Sequence, residues 1–418
     1  MSKKSQSRIQ LDPAETKGHL YQYFQNCETQ IKKGKRPTSI CIEGEAGIGK
    51  TAIIRQLAEE LGYKIHVENT AAVDDLGHLV GFPEKEYQIE FTGETSGIRE
   101  TQTRWIPAEF SDEAIKEGGK YTGEARMSYA VPYWLKSLNP DDKFILFLDD
   151  YTRALPMVMQ ACMSITEEYR YKSWELPKNS IVILSTNPDS GEYSVASLDT
   201  AQKTRMRYLE MIFSTDAWAK WAEGDGIDGR CINFVLNNPE LFSRKADGVG
   251  GGREYNARVM CKFFEDIGCL EDFSKNLSYV KICGDGSVGN QFTDHFITFV
   301  NNKLDKLPSP SELLKMDAPK AKSMLNTVCG NYYTKDAYNP ATASIMASRI
   351  TNFVIYGNHD KWGKDENTKV VEMILHNSFS EDLKFYMAKQ FITDRAKAQS
   401  TKLQYITMHP EILKMIIS

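Results

Sequence analysis

One stretch of eight residues constrains the fold of this chain more than any other feature; it reads Gly44-Glu45-Ala46-Gly47-Ile48-Gly49-Lys50-Thr51. Its glycines let the backbone turn sharply and direct N–H groups inward, so that a phosphate sits at the N-terminus of a helix. Residues 38–43 predict a short strand that enters this turn, and residues 52–61 predict a helix that leaves it. This order of strand, loop and helix is the context that a phosphate-binding loop requires.

The residues of this loop have distinct predicted roles. Lys50 reaches the β and γ phosphates, and the hydroxyl of Thr51 is a ligand for Mg²⁺. We expect the nucleotide to be contacted by Gly44, Glu45, Ala46, Gly47, Ile48, Gly49, Lys50, Thr51 and Ala52. The alternative is a glycine-rich turn that precedes a lysine by chance, and the matching flanks on both sides disfavour it. The sequence therefore predicts a nucleotide-binding protein.

Length and composition limit the other classes of function. A chain of 418 residues is too long for one small core, so we expect two or three domains. Its formal net charge of −5 does not indicate non-specific nucleic-acid binding. No apolar run approaches the length of a membrane span, and polar residues follow Met1, so we expect a cytoplasmic protein without membrane contact. Eight cysteines without a Cys-x-x-Cys pair predict reduced thiols and no zinc site.

Two acidic residues follow a second apolar segment. Residues 144–148 form a continuous apolar run, which is typical of a strand buried on both faces of a parallel sheet. The run ends in Asp149 and Asp150. Beside a phosphate loop, we expect Asp149 to hold Mg²⁺ through a water and Asp150 to act as the general base on the attacking water. A solvated strand end is the alternative, and the upstream loop makes it the less favoured one.

Two further segments bear on the architecture. Residues 180–186 predict another buried strand, which ends in Asn187 and Pro188. The amide side chain of Asn187 would orient water beside the γ-phosphate, although the local sequence by itself favours an Asn-Pro turn. Residues 84–120 are polar, with alternating pieces, and predict a hairpin insertion displayed from the core.

Taken in order, these motifs resemble the AAA+ ATPases of the MoxR-like and dynein-related group. Residues 149–154 read Asp-Asp-Tyr-Thr-Arg-Ala and are similar to the family pattern Asp-Glu-x-x-Arg-Ala. Residues 184–188 are similar to its sensor-1 segment Ala-Thr-x-Asn-Pro. Residues 198–206 match its arginine-finger pattern Leu-(Asp/Pro)-x-Ala-x-x-x-Arg-(Phe/Met), which makes Arg205 the finger candidate. The similarity covers roughly residues 15 to 315.

The resemblance implies an α/β P-loop core, residues 1–222, with a five-stranded parallel sheet in the order 5-1-4-3-2. The sensor strand would lie between the phosphate-loop strand and the acidic strand, which puts Asn187 within reach of the γ-phosphate. An α-helical lid would follow at residues 223–317, with Arg258 as the nucleotide-contacting sensor-2 arginine and Arg253 as its substitute. Residues 318–418 are helical by their apolar spacing. The glycine run at 248–252 suits a flexible connection in this lid.

The resemblance also implies cofactors and partners. ATP and Mg²⁺ are the expected cofactors, and Lys50, Asp150, Asn187 and Arg205 are the expected catalytic residues. A finger supplied in trans requires a homo-oligomeric ring, for which a hexamer is the family expectation. The natural partner is a protein with a von Willebrand factor A domain. Arg153 is an intersubunit contact in the family; the alternative is that it pairs with Asp150 or with a surface carboxylate.

One departure from the family keeps two functions open. Asp150 stands where the family has glutamate, and a carboxylate about 1.5 Å farther from the water can cost ~10²-fold in rate. Glu167 and Glu168 are substitutes or, as we favour, surface charges. The favoured function is an ATP-hydrolysing ring motor that remodels or activates a protein partner. The alternative is a nucleotide-gated assembly scaffold with little or no turnover. A DNA-handling motor is disfavoured by the pI of about 5.9 and the lack of an aromatic and basic stripe.

Overall fold

The computed structural model describes residues 9–95, 98–188, 204–242, 255–357, 362–393 and 403–417. The chain forms two compact units, Met1–Ile212 and Phe213–Ser418. The boundary predicted between residues 222 and 223 falls inside a helix of the second unit, Thr215–Asp225. Within the described residues, no helix has both the length and the apolar character that crossing a bilayer demands.

The first unit contains all the described strands. In chain order they are β1 Gln10–Leu11, β2 Ile40–Gly44, β3 Lys64–Asn69, β4 Pro83–Thr95, β5 Ile98–Pro107, β6 Lys120–Tyr129, β7 Lys143–Asp149, β8 Arg170–Tyr171, β9 Trp174–Glu175, β10 Asn179–Thr186 and β11 Arg207–Met211. Its helices are α1 Pro13–Lys32, α2 Lys50–Leu61, α3 Leu76–Val80, α4 Ser111–Lys116, α5 Tyr133–Lys136 and α6 Pro156–Glu168.

The central sheet is parallel and has six strands in the order β1-β11-β2-β10-β7-β3. The prediction of a five-stranded sheet in the order 5-1-4-3-2 is therefore wrong in the number of strands, and the order differs because the sheet has a sixth strand. The additional strand is β1, which pairs at the edge with β11, and the N–H of Ile212 donates to the carbonyl of Leu11 over 2.9 Å. A two-residue strand has no readable hydrophobic period, so the sequence did not reveal it.

The middle of this sheet positions the candidate site. Strand β10 pairs with β2 on one side and with β7 on the other, as the resemblance implied for the sensor strand. Residues 144–148 of β7 are almost completely buried, which explains their uninterrupted apolar sequence. Because parallel strands end at a common edge, the residues that follow β2, β7 and β10 lie close together.

The predicted hairpin is part of a larger insertion. Strands β4 and β5 pair antiparallel from Glu86 with Pro107 to Thr95 with Ile98. Strand β6 joins the other edge of β4, which makes a separate three-stranded sheet in the order β5-β4-β6. The insertion therefore runs to Tyr129, beyond the end predicted near residue 120.

The second unit is helical throughout its described residues. Its helices are α7 Thr215–Asp225, α8 Gly229–Asn237, α9 Ala257–Gly268, α10 Leu277–Ser287, α11 Asn290–Asn301, α12 Pro310–Lys315, α13 Ala318–Cys329, α14 Pro340–Tyr356, α15 Lys364–Ile374, α16 Glu381–Thr393, α17 Gln404–Thr407 and α18 Pro410–Ile417. Two hydrophobic clusters organise them. One is rich in phenylalanine and draws on residues 218–300, and the other draws on residues 313–412.

Candidate nucleotide-binding site

The loop between β2 and α2 has the geometry of a phosphate-binding turn. Gly49 is the N-cap of α2 and has φ of +99°, in the left-handed region that favours glycine. At Gly44, a Cβ would lie 2.6 Å from Cδ1 of Ile48 and 2.7 Å from the carbonyl oxygen of Met211. Gly49 has no side chain to cap the first N–H groups of α2, and such groups bind phosphate.

Lys50 extends back over this loop. Its side chain is buried, with 7% of its surface exposed. The Nζ donates to the carbonyl oxygen of Gly44 over 2.6 Å, to that of Glu45 over 3.0 Å, and to Oδ1 of Asn187 over 3.1 Å. The ammonium group is therefore held against the loop and at the end of strand β10.

The two predicted metal residues are in direct contact. Oγ1 of Thr51 donates to Oδ2 of Asp149 over 2.8 Å. The hydroxyl of Ser185 donates to the other carboxylate oxygen, Oδ1. Oγ1 of Thr70 donates to the backbone carbonyl of Asp149 over 2.8 Å. The end of β7 is thus fixed by hydroxyl groups from three other segments.

This donor set fits Mg²⁺ that is shared with a nucleotide. A hydroxyl and a carboxylate are hard oxygen donors, and Mg²⁺ in nucleotide sites takes one or two protein ligands and completes its shell with water and phosphate oxygens. Within the described residues, no group of three or more His, Cys, Asp or Glu side chains suits a metal ion. Thr51 and Asp149 are therefore the residues that would hold it.

Asp150 has an unusual backbone conformation. Its φ of +54° and ψ of +36° are left-handed, which aspartate tolerates better than most residues. Its N–H is shared between Oδ1 of Asp149 and Oγ of Ser185, each 3.2 Å away. Its carboxylate lies 3.8 Å from Nη1 of Arg153, so the chain itself contains the Arg153 and Asp150 ion pair.

Asn187 connects Lys50 with Asp150. Its Oδ1 accepts from Lys50, and its Nδ2 donates to Oδ1 of Asp150 over 3.0 Å. The side chain is 4% exposed. Three residues predicted as catalytic, from three separate segments, are therefore connected by hydrogen bonds, with the amide oriented by a donor on one side and an acceptor on the other.

Arg205 lies just before β11, and its Nε donates to Oε2 of Glu167 on α6 over 2.6 Å. Glu168 pairs with Arg170 over 2.8 Å, and both glutamates are about half exposed. Their contacts are those of surface charges. Residues 198–203 of the finger pattern lie outside the described residues, and the role of Arg205 stays a prediction.

Arg258 belongs to the second unit. It is exposed in the first turn of α9. Asn256 caps this helix, because its Oδ1 accepts from the N–H groups of Arg258 and Val259 over 3.0 and 3.2 Å. Arg253 and the glycine run at 248–252 lie outside the described residues. The contact of Arg258 with nucleotide stays a prediction.

Neither Ser185 nor Thr70 was predicted from the sequence as a site residue. A signal for Ser185 was present, because side chains alternate along a strand and Ser185 precedes Asn187 by two positions, on the same face. Thr70 carries no such signal, since it follows β3 in a short 3₁₀ turn. The eight cysteines, all of which lie in the described residues, are free thiols in the structure. Burial raises the pKa of the Cys27 thiol to about 11, so this thiol is protonated at neutral pH.

The strand order and the loop geometry together define a P-loop α/β fold followed by a helical unit. No family model matches this chain, and no curated protein matches it. Solved structures do resemble it. The Thermotoga maritima RuvB Holliday junction branch migration motor has 14% sequence identity, with 75% of this chain and 84% of that chain covered and a TM-score of 0.34.

Two other solved structures are similar at the same level. A putative ATPase from Cytophaga hutchinsonii has 10% identity, with 81% of this chain and 89% of that chain covered and a TM-score of 0.28. PCH-2 from C. elegans has 12% identity, with 70% of each chain covered and a TM-score of 0.30. Identities of 10–14% and TM-scores of 0.28–0.34 do not by themselves indicate a function.

Proposed function

We propose that this chain is an AAA+ ATPase of the MoxR-like type, a ring motor that uses ATP hydrolysis to remodel or activate a protein partner. One observation carries the proposal: a phosphate loop, two consecutive carboxylates and a strand-end amide from separate segments form one hydrogen-bonded network. Lys50, Asn187 and Asp150 are its connected members. A glycine-rich turn that preceded a lysine by chance would not place that lysine against these groups.

Nucleotide binding uses the loop and its lysine. The N–H groups of residues 44–52 surround the phosphates, and Lys50 contacts the β and γ phosphates in exchange for some of its contacts with the loop. Thr51 and Asp149 would hold Mg²⁺, and the ion would supply neutralisation of charge on the phosphate oxygens. Arg258 is the proposed sensor-2 arginine, as the resemblance implies.

Hydrolysis uses the network around Asp150. A water attacks the γ-phosphorus, the bond from this phosphorus to the β,γ-bridging oxygen breaks, and Asp150 takes the proton of the water. Asn187 orients the carboxylate of Asp150 for this step, because its amide nitrogen donates a hydrogen bond to that carboxylate. ADP and phosphate are the products.

The ring supplies the last catalytic group. Arg205 of one subunit acts on the nucleotide of its neighbour, and such an arginine contributes roughly 10³–10⁵ to the rate. A homohexamer is the assembly we propose, with a von Willebrand factor A domain protein as its partner. Within one chain Arg205 pairs with Glu167, so assembly requires that this exposed ion pair be exchanged. Exposed pairs of this kind are worth only about 0–1 kcal/mol.

The contacts and the short side chain of Asp150 support a second function. Its carboxylate is engaged by Asn187, with Arg153 nearby, and it is one methylene shorter than the glutamate of the family. A base that is held by these contacts, and whose side chain is shorter than glutamate, would activate the attacking water poorly. This favours a nucleotide-gated scaffold, which binds ATP and assembles but turns over little.

The deciding experiment is steady-state ATP hydrolysis by the wild type and Asp150→Asn over a protein concentration series, with mass photometry in parallel. The motor predicts turnover that rises with oligomer formation and disappears in the variant. The scaffold predicts ATP binding and assembly without turnover in either protein. DNA-stimulated hydrolysis with a steep salt dependence would instead favour a DNA-handling motor.

A further inference from the structure

The hydroxyl of Ser185 contacts both acidic residues at the end of β7. Ser185 is the penultimate residue of β10, and its side chain is completely buried. Its Oγ donates to Oδ1 of Asp149 and accepts the N–H of Asp150 over 3.2 Å. One buried hydroxyl therefore touches the side chain of one carboxylate residue and the backbone of the next.

The first contact completes a clamp on Asp149. Thr51 donates to Oδ2 over 2.8 Å, and Ser185 donates to Oδ1. With a hydroxyl on each oxygen, the carboxylate has one preferred rotation. Mutation of a partner that orients a metal ligand in this way typically costs about 10–100-fold in metal affinity or activity.

The second contact stabilises the turn at Asp150. A left-handed aspartate persists where its surroundings over-determine it, and here the N–H is held by Oδ1 of Asp149 and by Oγ of Ser185. If the hydroxyl is removed, the N–H of Asp150 keeps only the carboxylate of Asp149, and that carboxylate has itself lost one of its three donors. The orientations of Asp149 and Asp150 therefore depend on the same atom.

We propose that Ser185 is a positioning residue, which sets the metal-facing carboxylate of Asp149 and the turn that presents Asp150. This inference rests on the proposed binding of nucleotide with Mg²⁺. It does not require turnover, because the clamp on Asp149 acts on Mg²⁺-dependent binding and the turn at Asp150 acts on hydrolysis.

The strand offers a matched control. Ser180 lies on the same strand, is equally buried, and its hydroxyl has no hydrogen-bond partner among the described residues. Ser180→Ala and Ser185→Ala therefore remove the same atom from the same strand, but only the second removes contacts with the acidic residues. Ser185→Thr retains the hydroxyl and serves as the conservative rescue.

The experiment measures binding of a fluorescent ADP analogue to the full chain, first in EDTA and then over a Mg²⁺ series, together with ATP hydrolysis. Ser185→Ala is expected to bind the analogue as the wild type does in EDTA. The Mg²⁺ concentration for its half-maximal effect should rise about 10–100-fold. Turnover should fall through kcat with little change in KM, Ser185→Thr should recover both, and Ser180→Ala should match the wild type.

Several outcomes would overturn the inference. One is an unchanged Mg²⁺ dependence in Ser185→Ala, and another is an equal loss in Ser180→Ala, which would indicate a general effect on the strand. If the wild type binds the analogue without any response to Mg²⁺, both the inference and the proposed site fail. A normal Mg²⁺ response in the wild type and in Ser185→Ala overturns the inference alone. Thermal unfolding checks each variant, and Ser185→Cys, a weaker donor of similar size, replaces Ser185→Ala if that variant does not fold.

Discussion

The amide nitrogen of Asn187 lies 3.0 Å from Oδ1 of Asp150, while the oxygen of the same amide accepts from Lys50. The residue that follows one buried strand thus orients the carboxylate that follows its neighbour. These two hydrogen bonds couple Asp150, the proposed base, to Lys50 through one side chain, so each of the three residues is sensitive to changes in the others.

Asn187→Ala removes this connection. We expect nucleotide affinity to stay within a few-fold of the wild type and kcat to fall ~10²-fold, because the carboxylate loses the group that orients it. Steady-state hydrolysis and analogue binding measure the two effects. Asn179→Ala is the control, since Asn179 is at the start of the same strand and its amide contacts the carbonyl of Asp141. Wild-type kcat in Asn187→Ala would show that the amide has no part in hydrolysis.

Lys50→Ala is expected to abolish nucleotide binding, because the side chain provides the positive charge nearest the loop. Fluorescent nucleotide titration measures the loss. Lys17→Ala is the matched control, as Lys17 pairs with Glu60 on the surface over 2.7 Å. Retained ATP affinity in Lys50→Ala would disprove the phosphate-loop assignment.

Asp150→Glu is expected to keep or raise turnover, because the added methylene extends the carboxylate toward the water. Asp150→Asn should trap rings with ATP bound, since the amide accepts no proton. The ratio of bound ATP to ADP, measured after rapid separation, distinguishes the two variants. Equal turnover in Asp150→Asn and the wild type would assign the base to another residue.

Arg205→Ala is expected to leave nucleotide binding intact and to remove hydrolysis, because the finger acts only on the transferring phosphate of a neighbouring subunit. Glu167→Gln separates this role from the intrachain ion pair and should change the free energy of unfolding by no more than about 1 kcal/mol. Hydrolysis at the wild-type rate in Arg205→Ala would mean that the finger lies elsewhere.

Arg349→Met tests the stability of the second unit. Arg349 is buried and pairs with Glu223, and its Nη1 donates to the carbonyl of Gly229 and to Oδ1 of Asn233, each over 2.6 Å. Loss of one member of a buried pair costs roughly 3–5 kcal/mol in the free energy of unfolding. Urea unfolding measures this cost. Lys281→Met, which removes the surface ion pairs of Lys281 with Asp285 and Asp294, is the control and should leave the free energy of unfolding close to that of the wild type.

The same variant has a pH signature. Burial raises the pKa of Glu223, and the charge of Arg349 opposes this effect. Without the arginine the pKa rises further, so the folded variant holds a proton that the unfolded chain has released. The stability deficit should therefore be smallest below the ordinary pKa of glutamate and grow as pH rises through the raised pKa of the folded state. A deficit that does not change with pH would show that lost packing explains the effect.

The sequence predicted those parts of the site that depend on short stretches of chain. The glycines and Lys50 of the loop, the apolar run before Asp149 and the strand before Asn187 are all local patterns, because the backbone of a few residues determines a turn or a strand. The resemblance added the placement of the sensor strand between β2 and β7, which the pairing confirms. Local patterns did not reveal β1, whose two residues pair with a strand distant in the chain.

By itself, the sequence determined that this chain contains a glycine-rich turn between a strand and a helix, and polar residues at the ends of buried strands, because glycine conformation and hydrophobic period are properties of neighbouring residues. Only the tertiary structure decided which side chains meet. The contacts of Ser185 with Asp149 and Asp150, of Asn187 with Lys50, and of Arg205 with Glu167 join segments far apart in the chain. Parallel strand pairing brings the carboxyl ends of β2, β7 and β10 to a common edge, which places Ser185, Asn187, Lys50 and the two aspartates together. Arg205 precedes the start of β11, at the opposite edge, where it contacts Glu167 on α6. No pattern within a single segment encodes these contacts.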